Sequence, residues 1–199
     1  MRIALVGQKF FGAAVFEALR ADGHEVLAAV APGPGDRLWD AAVAAGVLSA
    51  PALTLALVAV DLIVAAHAHA FITSEARSRV PHGAIGYHPS LLPLHRGRDA
   101  VRWAVHCRDR VTGGTVYQMT DAVDGGPIIE QEHVFVRPDD DATSLWRREL
   151  APLGVRLLAR AVRRIAESGS VAPLCRPQDE ALATWEPSWE RAPLARSNG

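Results

Sequence analysis

The sequence contains little cysteine. Cys107 and Cys175 are the only two among 199 residues, and they lie far apart in the chain. They form no C-x-x-C pair, and no histidine stands at zinc-ligand spacing from either. A disulfide framework and a cysteine zinc site are therefore disfavoured, and we expect free structural thiols in a reducing, cytoplasmic environment.

The sequence also lacks an excess of charge of either sign. Lys and Arg number 21, Asp and Glu number 22, and the formal net charge is −1. A chain without a bulk field is not drawn to nucleic acid or to an anionic membrane. The arginine series from Arg156 to Arg164 has no aromatic residues interleaved, so we interpret it as the solvent-facing side of a helix. No nucleic-acid partner is expected.

Long uninterrupted hydrophobic runs are missing as well. The most apolar stretch, residues 52–71, is interrupted by Asp61, His67 and His69, and no basic flank follows it. We interpret it as a buried strand together with the helix that leads into it. The first residues are strand-like and lack the basic start and apolar span of a signal peptide, so neither a leader nor a membrane association is expected.

Strand-like and helix-like segments alternate along the chain as in βαβ units. The order predicts a single Rossmann-like α/β domain, with a mostly parallel central sheet and helices on both faces. We expect this catalytic domain at residues 1–185 and an irregular carboxy-terminal tail at 186–199. The predicted strands are residues 3–6, 24–30, 61–66, 83–88, 113–119 and 128–135, and the predicted helices are 12–22, 38–45, 73–79, 99–107 and 150–165.

Two short patterns indicate little chemistry. Gly7-Gln-Lys-Phe-Phe-Gly12 is similar to a glycine-rich phosphate loop but lacks the G-x-G-x-x-G spacing, so we interpret it as a tight strand-to-helix turn that touches a ligand at most. His67 and His69 share one face of a strand end, but no third ligand stands at a plausible spacing. No metal site is predicted.

His88 is the strongest candidate for chemistry. It lies where a predicted strand gives way to a proline-containing loop, and the turn after the next strand carries Asp121 and Asp124 among small residues. We expect a carboxylate of that turn to reach the imidazole across adjacent strand ends. Such a neighbour stabilises an imidazolium and fixes its tautomer, as proton transfer requires. A hydrogen-bonded structural histidine is the alternative.

Three segments resemble the folate-dependent formyltransferase family: His88-Pro-Ser-Leu-Leu-Pro93, His95-Arg-Gly97 and Ala122-Val-Asp-Gly-Gly126. The family marker is a His-x-Ser-Leu-Leu-Pro loop followed by a Leu-Asp-Thr-Gly-like turn. Within the family, residues 6–12, 82–97 and 138–140 are similar to the hydrolase domains of 10-formyltetrahydrofolate dehydrogenases. The resemblance covers residues 1 to about 185, so we expect the catalytic core alone.

The resemblance implies 10-formyltetrahydrofolate as co-substrate, held at the carboxyl edge of the sheet without a metal. It implies His88 as the catalytic histidine and Asp124 as the loop aspartate. The pterin ring would be held largely by backbone groups. The residues expected to bind the folate are Phe71, Ile72, Gly86, Asp121, Ala122 and Val123. The expected partner is a small-molecule acceptor or a carrier-bound thiol, and a homodimer is possible.

Formyl transfer requires a nucleophile to attack the N10-formyl carbon while charge grows on the formyl oxygen. We expect His88 to hydrogen-bond this oxyanion, and Asp124 to orient His88 and help remove the proton of the attacking amine, thiol or water. Arg96 and Arg98 flank the loop. They are candidates for holding an anionic acceptor or the glutamate tail of the folate, with solvated surface charge as the alternative.

One departure from the family pattern leaves the function open. Most amine-directed members carry an asparagine two residues before the histidine, whereas this chain has Gly86, and Tyr87 points to the opposite face of the strand. We expect Gly86 to leave a gap that water, a substrate amide or a thiol arm fills. The hydrolase domains also lack the asparagine. Formyl transfer, hydrolysis to formate and tetrahydrofolate, and folate binding with weak catalysis therefore all remain.

Overall fold

A seven-stranded sheet forms the centre of the computed structural model, which describes residues 1–53 and 59–191. The strands are β1 (Arg2–Gly7), β2 (Glu25–Val30), β3 (Leu48–Ala50), β4 (Leu62–Ala66), β5 (Ala84–His88), β6 (Val111–Gln118) and β7 (Ile128–Phe135). The helices are α1 (Lys9–Ala21), α2 (Arg37–Ala44), α3 (Ser74–Ser78), α4 (Ala100–His106), α5 (Ala142–Leu145) and α6 (Ala151–Ser168).

The strand order is β3-β2-β1-β4-β5-β6-β7. The first five strands are parallel, while β6 runs antiparallel to β5 and pairs with β7 as a hairpin. The mostly parallel sheet is confirmed, and so is the predicted hairpin. The three-residue edge strand β3 was not predicted, because so short a run carries no periodicity to detect.

Both faces of the sheet are covered. All five residues of β4 are buried, as a strand covered on two sides requires. Helices α1, α2, α4 and α6 pack against one face around Phe16 and Leu157, and α3 packs against the other beside Ile63 and Ile72. Each such large apolar side chain stabilises the fold by about 1.5–3 kcal/mol when fully buried. The predicted two-faced α/β domain is confirmed.

The arginine face of α6 contacts acidic residues of neighbouring elements. Arg160 and Arg164 both pair with the buried carboxylate of Glu130 on β7, and Arg163 pairs with Asp22 after α1. These arginines are partly exposed, but they tie the helix to the sheet rather than only facing solvent. A five-residue π-helical turn, Trp146–Leu150, joins α5 to α6 and was not predicted.

The segment after α6 runs from the start of β7 to the loop that follows β5. Arg176 forms an isolated bridge with Ile128 and Trp185 forms one with Arg96, while Trp189 packs edge-to-face against Trp103 of α4. We call residues 176–191 the carboxy-terminal segment. The remaining part of the expected tail, 192–199, lies outside the described residues, as does part of the helix expected before β4, at 54–58.

Within the described ranges, no helix combines the length and the hydropathy that crossing a bilayer requires.

Candidate active site

The structure brings His88 and Asp124 together. His88 is the last residue of β5 and is buried, with 6% of its surface exposed. Its Nδ1 lies 3.6 Å from Oδ2 of Asp124. That separation is too long for a hydrogen bond but close enough for strong electrostatic interaction in a buried site. The proposed pairing of an imidazole with a carboxylate is thus present in the fold.

The chain path that places Asp124 next to His88 differs from the expected one. Because β6 is antiparallel to β5, the carboxyl end of β6 lies beside the start of β5, with Gln118 opposite Ile85. The turn between β6 and β7 begins at the edge of the sheet away from His88. It folds back over the sheet face, and this return, rather than adjacent strand ends, delivers Asp124 to the imidazole.

The Asp124 carboxylate is held rigidly. Oδ1 accepts a hydrogen bond from the hydroxyl of Tyr117 at 2.8 Å, and Oδ2 accepts one from the Gly97 amide at 2.9 Å. Burial, followed by the charge of Asp124, raises the pKa of Tyr117 well above its usual value, so this hydroxyl keeps its proton and donates. Asp124 itself has a φ of +51°, a strained backbone conformation that is common at functional sites.

The second ring nitrogen of His88 determines its tautomer. Nε2 lies 2.8 Å from the backbone carbonyl oxygen of His95. A carbonyl oxygen only accepts hydrogen bonds, so Nε2 carries a proton and donates it. In the neutral ring Nδ1 therefore holds a lone pair directed toward Asp124, and protonation there creates a cation beside the carboxylate.

Two loops carry the residues expected to hold the pterin. Phe71 and Ile72 follow β4, and Phe71 is 81% exposed while Ile72 is buried. Asp121, Ala122 and Val123 begin the folded-back turn and are exposed. The expected assignment of these five residues to folate binding stays a prediction, and the accessible faces of Phe71 and Val123 are consistent with it.

Arg77 of α3 ties the two loops together. One guanidinium nitrogen donates to the Ile72 carbonyl at 2.7 Å, and another pairs with the Asp121 carboxylate. The Arg77 side chain is only 10% exposed, whereas that of Asp121 is 82% exposed, so the Arg77 end of the link is shielded and the Asp121 end faces solvent. Because it joins the β4–α3 loop to the β6–β7 turn, Arg77 sets the spacing between the two predicted pterin-binding loops.

Gly86 lies on the same face of β5 as His88, opposite Tyr117 on β6. A Cβ atom at position 86 would lie 3.5 Å from Cγ and Sδ of Met119 and from the Tyr117 ring. The gap expected here is therefore bordered by the Met119 thioether, and little more than a methyl group fits. Tyr87 points to the other face as predicted, where its hydroxyl donates to the Leu150 carbonyl at 2.7 Å.

The two arginines beside the loop, Arg96 and Arg98, differ in their exposure to solvent and in their partners. Arg96 is buried, and its guanidinium donates to Glu180 at 2.6 Å and to Gln178 at 2.7 Å. The expectation that Arg96 holds an acceptor or a folate tail is wrong, because this cation is already neutralised and enclosed by the carboxy-terminal segment. Arg98 is exposed and lines a cavity.

This cavity, of about 930 Å³, opens at the carboxyl edge of the sheet. Its walls include Tyr87 and Pro89, the residues on either side of His88, together with the aromatic rings of Phe10, Phe11 and Trp146. Five cationic side chains line it: Lys9, Arg37, Arg98, Arg102 and Arg147. Lys9 is the only lysine of the chain. The predicted strand-to-helix turn after β1 thus does contribute to a cavity wall.

None of these five cations lies within 4.0 Å of a carboxylate in the part of the chain that the structure describes, whereas Arg77, Arg96 and Arg148 all do. Asp99 is the one acidic residue of the lining, and its Oδ2 accepts a hydrogen bond from the Trp189 amide. Burial, and then the charge of Lys9, lowers the pKa of the neighbouring His67. The cavity is therefore a region of positive potential.

The second histidine of the 67–69 pair does not join the first in a common site. Nε2 of His69 lies 3.2 Å from the Pro51 carbonyl, while His67 lines the cavity. Across residues 1–53 and 59–191, no three His, Cys, Asp or Glu side chains are placed to hold a metal ion.

Several supporting residues carried no sequence signal. Tyr117, Arg77 and Gln178 contact the candidate site only because of the chain path, and Gln178 donates to the backbone carbonyls of Asp124 and Gly126 at 2.8 and 2.7 Å. Gln178 belongs to the carboxy-terminal segment, in a part for which the sequence predicted no helix or strand. A signal existed for His95 alone, which lies within the quoted His-Arg-Gly motif.

Comparison with known proteins adds independent information. Residues 44–162 match the family model described as "Formyl transferase". The chain is 35% identical over 204 residues to cytosolic 10-formyltetrahydrofolate dehydrogenase of Mus musculus, an alignment that covers 94% of this chain and 22% of that protein. It is 35% identical over 203 residues to methionyl-tRNA formyltransferase of Anaeromyxobacter dehalogenans (strain 2CP-C), covering 92% and 64% of the two chains.

Among solved structures, glycinamide ribonucleotide transformylase 1 from Symbiobacterium toebii is similar with a TM-score of 0.74 and 25% identity, over 90% of this chain and 94% of that one. The described fold and this structure therefore agree over nearly their whole lengths. The chain spans only about a fifth of the dehydrogenases that it matches.

Proposed function

Because the chain belongs to the formyl transferase family, we propose that it takes the formyl group of 10-formyltetrahydrofolate and transfers it to a small acceptor, an amine or a thiol. The observation that carries the proposal is the buried approach of His88 Nδ1 to Asp124 Oδ2 at 3.6 Å. A protein that only binds folate does not require a buried imidazole and a carboxylate at this separation.

The first step of the proposed reaction uses His88 as the base. Nε2–H donates a hydrogen bond to the His95 carbonyl, so Nδ1 of the neutral ring is the nitrogen available to take a proton. The acceptor nitrogen or sulfur bonds to the formyl carbon, the carbonyl electron pair moves to oxygen, and Nδ1 takes the acceptor's proton. General base catalysis of this kind contributes about 10²–10⁴-fold in rate.

The second step returns the proton. The imidazolium formed in the first step lies beside the Asp124 carboxylate, which stabilises it, and its Nδ1–H is available to the oxyanion. The oxygen electron pair re-forms the carbonyl, the bond from carbon to N10 breaks, and the Nδ1 proton goes to N10. The products are the formylated acceptor and tetrahydrofolate. Asp124 acts in this scheme as a stabilising anion, and His88 moves the proton.

The folate would lie on the His88 and Gly86 face of β5, between the two loops that Arg77 joins. The exposed side chains of Phe71 and Val123 support this placement, since an aromatic and an aliphatic surface suit the flat pterin ring. We retain Phe71, Ile72, Gly86, Asp121, Ala122 and Val123 as the proposed folate-binding residues.

The acceptor would enter through the basic cavity. Five cations that have no carboxylate partner in residues 1–53 and 59–191 surround a space that reaches the two neighbours of His88. Cations grouped in a partly enclosed site favour an anionic ligand, because the enclosing protein reduces screening by water and salt. We therefore propose an acceptor that carries a phosphate or another anionic group.

Hydrolysis is the second candidate, and Gly86 is the observation that favours it. Amine-directed members that the chain resembles carry an asparagine amide at this position, and Met119 borders the space that such an amide would need. Loss of one oxyanion donor costs on the order of 10²–10³ in rate. Water needs little room, so formate release would be the remaining activity if no acceptor is bound.

Acceptor pairs that differ only by a phosphate test the proposal. Phosphopantetheine is compared with pantetheine as thiol, and glucosamine 6-phosphate with glucosamine as amine, while tetrahydrofolate formation is followed. We expect the phosphorylated member of at least one pair to be used about 10-fold better, the advantage disappearing in Arg98→Gln/Arg147→Gln. Equal use of both members, with formate as the product throughout, would favour the hydrolase instead.

The remaining expectations concern the cell and the assembly. A cytoplasmic location, a small-molecule acceptor or carrier-bound thiol in place of nucleic acid, and a possible homodimer are retained as proposals. The domain division at residue 185 is retained in the same way.

A further inference from the structure

We propose that His95 is a positioning residue for His88. In this inference His95 is a buried imidazolium, held between Asp109 and Glu186, that fixes the backbone carbonyl to which His88 Nε2 donates. The inference rests on the proposed formyl transfer for its kinetic consequences, while the arrangement of protons that it requires is open to measurement without catalysis.

Two carboxylates flank the His95 ring. Nε2 lies 2.8 Å from Oδ2 of Asp109, and Nδ1 lies 3.2 Å from Oε1 of Glu186. The ring is buried, with 8% of the residue exposed. Carboxylate oxygens only accept hydrogen bonds, so both ring nitrogens must donate, and a ring with two N–H groups is a cation. At these hydrogen-bond distances a neutral ring would leave one nitrogen lone pair directly against a carboxylate oxygen, whereas Nδ1 of His88 lies farther away, at 3.6 Å from Asp124.

The backbone of His95 is equally constrained. Its φ is +53°, a left-handed conformation that is unfavourable for a non-glycine residue and persists only when its surroundings enforce it. The His95 amide donates to Oγ1 of Thr184 at 2.7 Å. The next residue, Arg96, donates to the Thr184 carbonyl at 3.0 Å and accepts from the Glu186 amide at 3.1 Å. The peptide that carries the His95 carbonyl is therefore held on both sides.

Among the described residues, this carbonyl is the one hydrogen-bond partner of the His88 Nε2. Nε2 of His88 donates to it at 2.8 Å, which leaves Nδ1 directed at Asp124. If the carbonyl shifted, the His88 ring would lose both its preferred tautomer and its direction. The charged cluster of His95, Asp109 and Glu186 thus acts on the reaction through His88, without touching the substrate.

Glutamine variants change the charge of the cluster formed by His95, Asp109 and Glu186 while keeping a polar side chain at each position. His95→Gln removes the cation and leaves two facing carboxylates. His95→Gln/Glu186→Gln removes one carboxylate as well and restores the original cluster charge of −1, so it keeps the test valid if the single variant folds poorly. Glu190→Gln is the matched control, because Glu190 is an exposed carboxylate of the same segment.

The kinetic test is a double-mutant cycle with His88→Ala. We expect both His95 variants to lower kcat for 10-formyltetrahydrofolate about 10- to 100-fold, with KM changed less than about 3-fold. In the His88→Ala background the same changes should lower kcat by less than about 2-fold. An equal loss in both backgrounds, or a raised KM at unchanged kcat, would overturn the positioning role. Glu190→Gln should match the parent protein.

Nitrogen-15 NMR of the histidine rings gives the second readout. We expect protons on both nitrogens of His95, and a proton held on Nε2 of His88 that exchanges faster with water in the His95 variants. A singly protonated His95 ring, or an unchanged His88 signal in the variants, would refute the inference. A parent protein that consumes no 10-formyltetrahydrofolate but shows the expected ring signals would instead refute only the proposed function.

Discussion

At the residue scale, the site is a small set of protons and anions held in fixed directions. Nε2 of His88 is committed to a carbonyl, and both oxygens of Asp124 accept from fixed donors, the Tyr117 hydroxyl and the Gly97 amide. Among the described residues, Nδ1 of the imidazole and one lone pair on each carboxylate oxygen have no hydrogen-bond partner. The part of the site available to a substrate therefore consists of the hydrogen-bonding positions of His88 and Asp124 that the protein itself leaves unoccupied.

Position 86 offers a prediction about acceptor choice. Gly86→Asn in a Met119→Ala background should place an amide donor on the His88 face, because truncation of the thioether clears the space beside the new side chain. We expect transfer to an amine to rise at least about 10-fold relative to formate release. Gly86→Ala/Met119→Ala fits the same space without a donor and should leave this ratio unchanged. Identical product ratios in the two double variants would contradict the assignment.

The sequence was enough to predict that His88 and Asp124 lie close together, because both belong to motifs that resemble those of the formyltransferase family. Their supporting residues were not predictable in this way. Tyr117 is one of several residues of an ordinary strand, and Gln178 is 54 residues from Asp124, whose carbonyl it contacts. Arg96 was misassigned, since an arginine beside a loop gives no indication that a distant segment encloses it.

At the element scale, two loops and one short helix form the predicted folate slot. The β4–α3 loop and the folded-back β6–β7 turn come from different parts of the sheet, and the side chain of Arg77 on α3 connects them. The two strands of the hairpin were predicted from their hydrophobic patterns. The direction in which their turn folds was not, because it depends on the antiparallel pairing of β5 with β6.

Removal of the Arg77 link should affect folate binding more than chemistry. Arg77→Met leaves the Ile72 carbonyl and the Asp121 carboxylate without their donor, so the two loops are free to separate. We expect KM for 10-formyltetrahydrofolate to rise about 10-fold, as the loss of a charge-assisted hydrogen bond suggests, with kcat changed much less. Steady-state kinetics give both values.

Arg79→Met is the matched control for that experiment. Arg79 follows α3, and its guanidinium pairs with Glu75 at an exposed position. Exposed pairs of this kind contribute little to stability, so kinetics should be unchanged. If Arg77→Met and Arg79→Met behaved alike, the link between the loops would have no role in binding.

At the scale of the whole molecule, charge is close to balanced but unevenly distributed. The net charge of −1 predicts no bulk field, but it gives no indication of the five cations around one cavity. Net charge sums all the charges of the chain, whereas the fold determines which of them lie close enough to neutralise each other. The arginines of α6 pair with acidic residues of β7 or with Asp22, whereas those of the cavity have no carboxylate partner among the described residues.

The pairing of Arg2 with Asp61 predicts how stability depends on pH. Hydrogen bonds from the Arg2 side chain and then from its backbone lower the pKa of Asp61 from 3.8 to about 2. A carboxyl whose pKa is depressed by folding stabilises the protein above its unfolded value, and the contribution disappears as pH falls through the folded value. The relevant window is therefore pH 4 to 2.

We expect Asp61→Asn to lower the free energy of unfolding by about 1 kcal/mol at pH 7. This is less than the pKa shift alone implies, because the Arg2 side chain is half-exposed and solvent screens the pair. The difference between the two proteins should narrow below pH 4 and vanish near pH 2. Urea unfolding at a series of pH values measures it. A difference that stays constant from pH 7 to pH 2.5 would show that the charge of Asp61 is not responsible.

The central claim is that His88 and Asp124 carry out formyl transfer and do not merely line a binding pocket. The most direct measurement compares His88→Ala and Asp124→Asn with the parent protein in two respects, tetrahydrofolate formation from 10-formyltetrahydrofolate and binding of the stable analogue 5-formyltetrahydrofolate. We predict a loss of turnover of at least about 100-fold in both variants, with binding retained within about 3-fold. Full turnover in either variant, or a parent protein that binds the analogue without consuming the donor, would contradict the account.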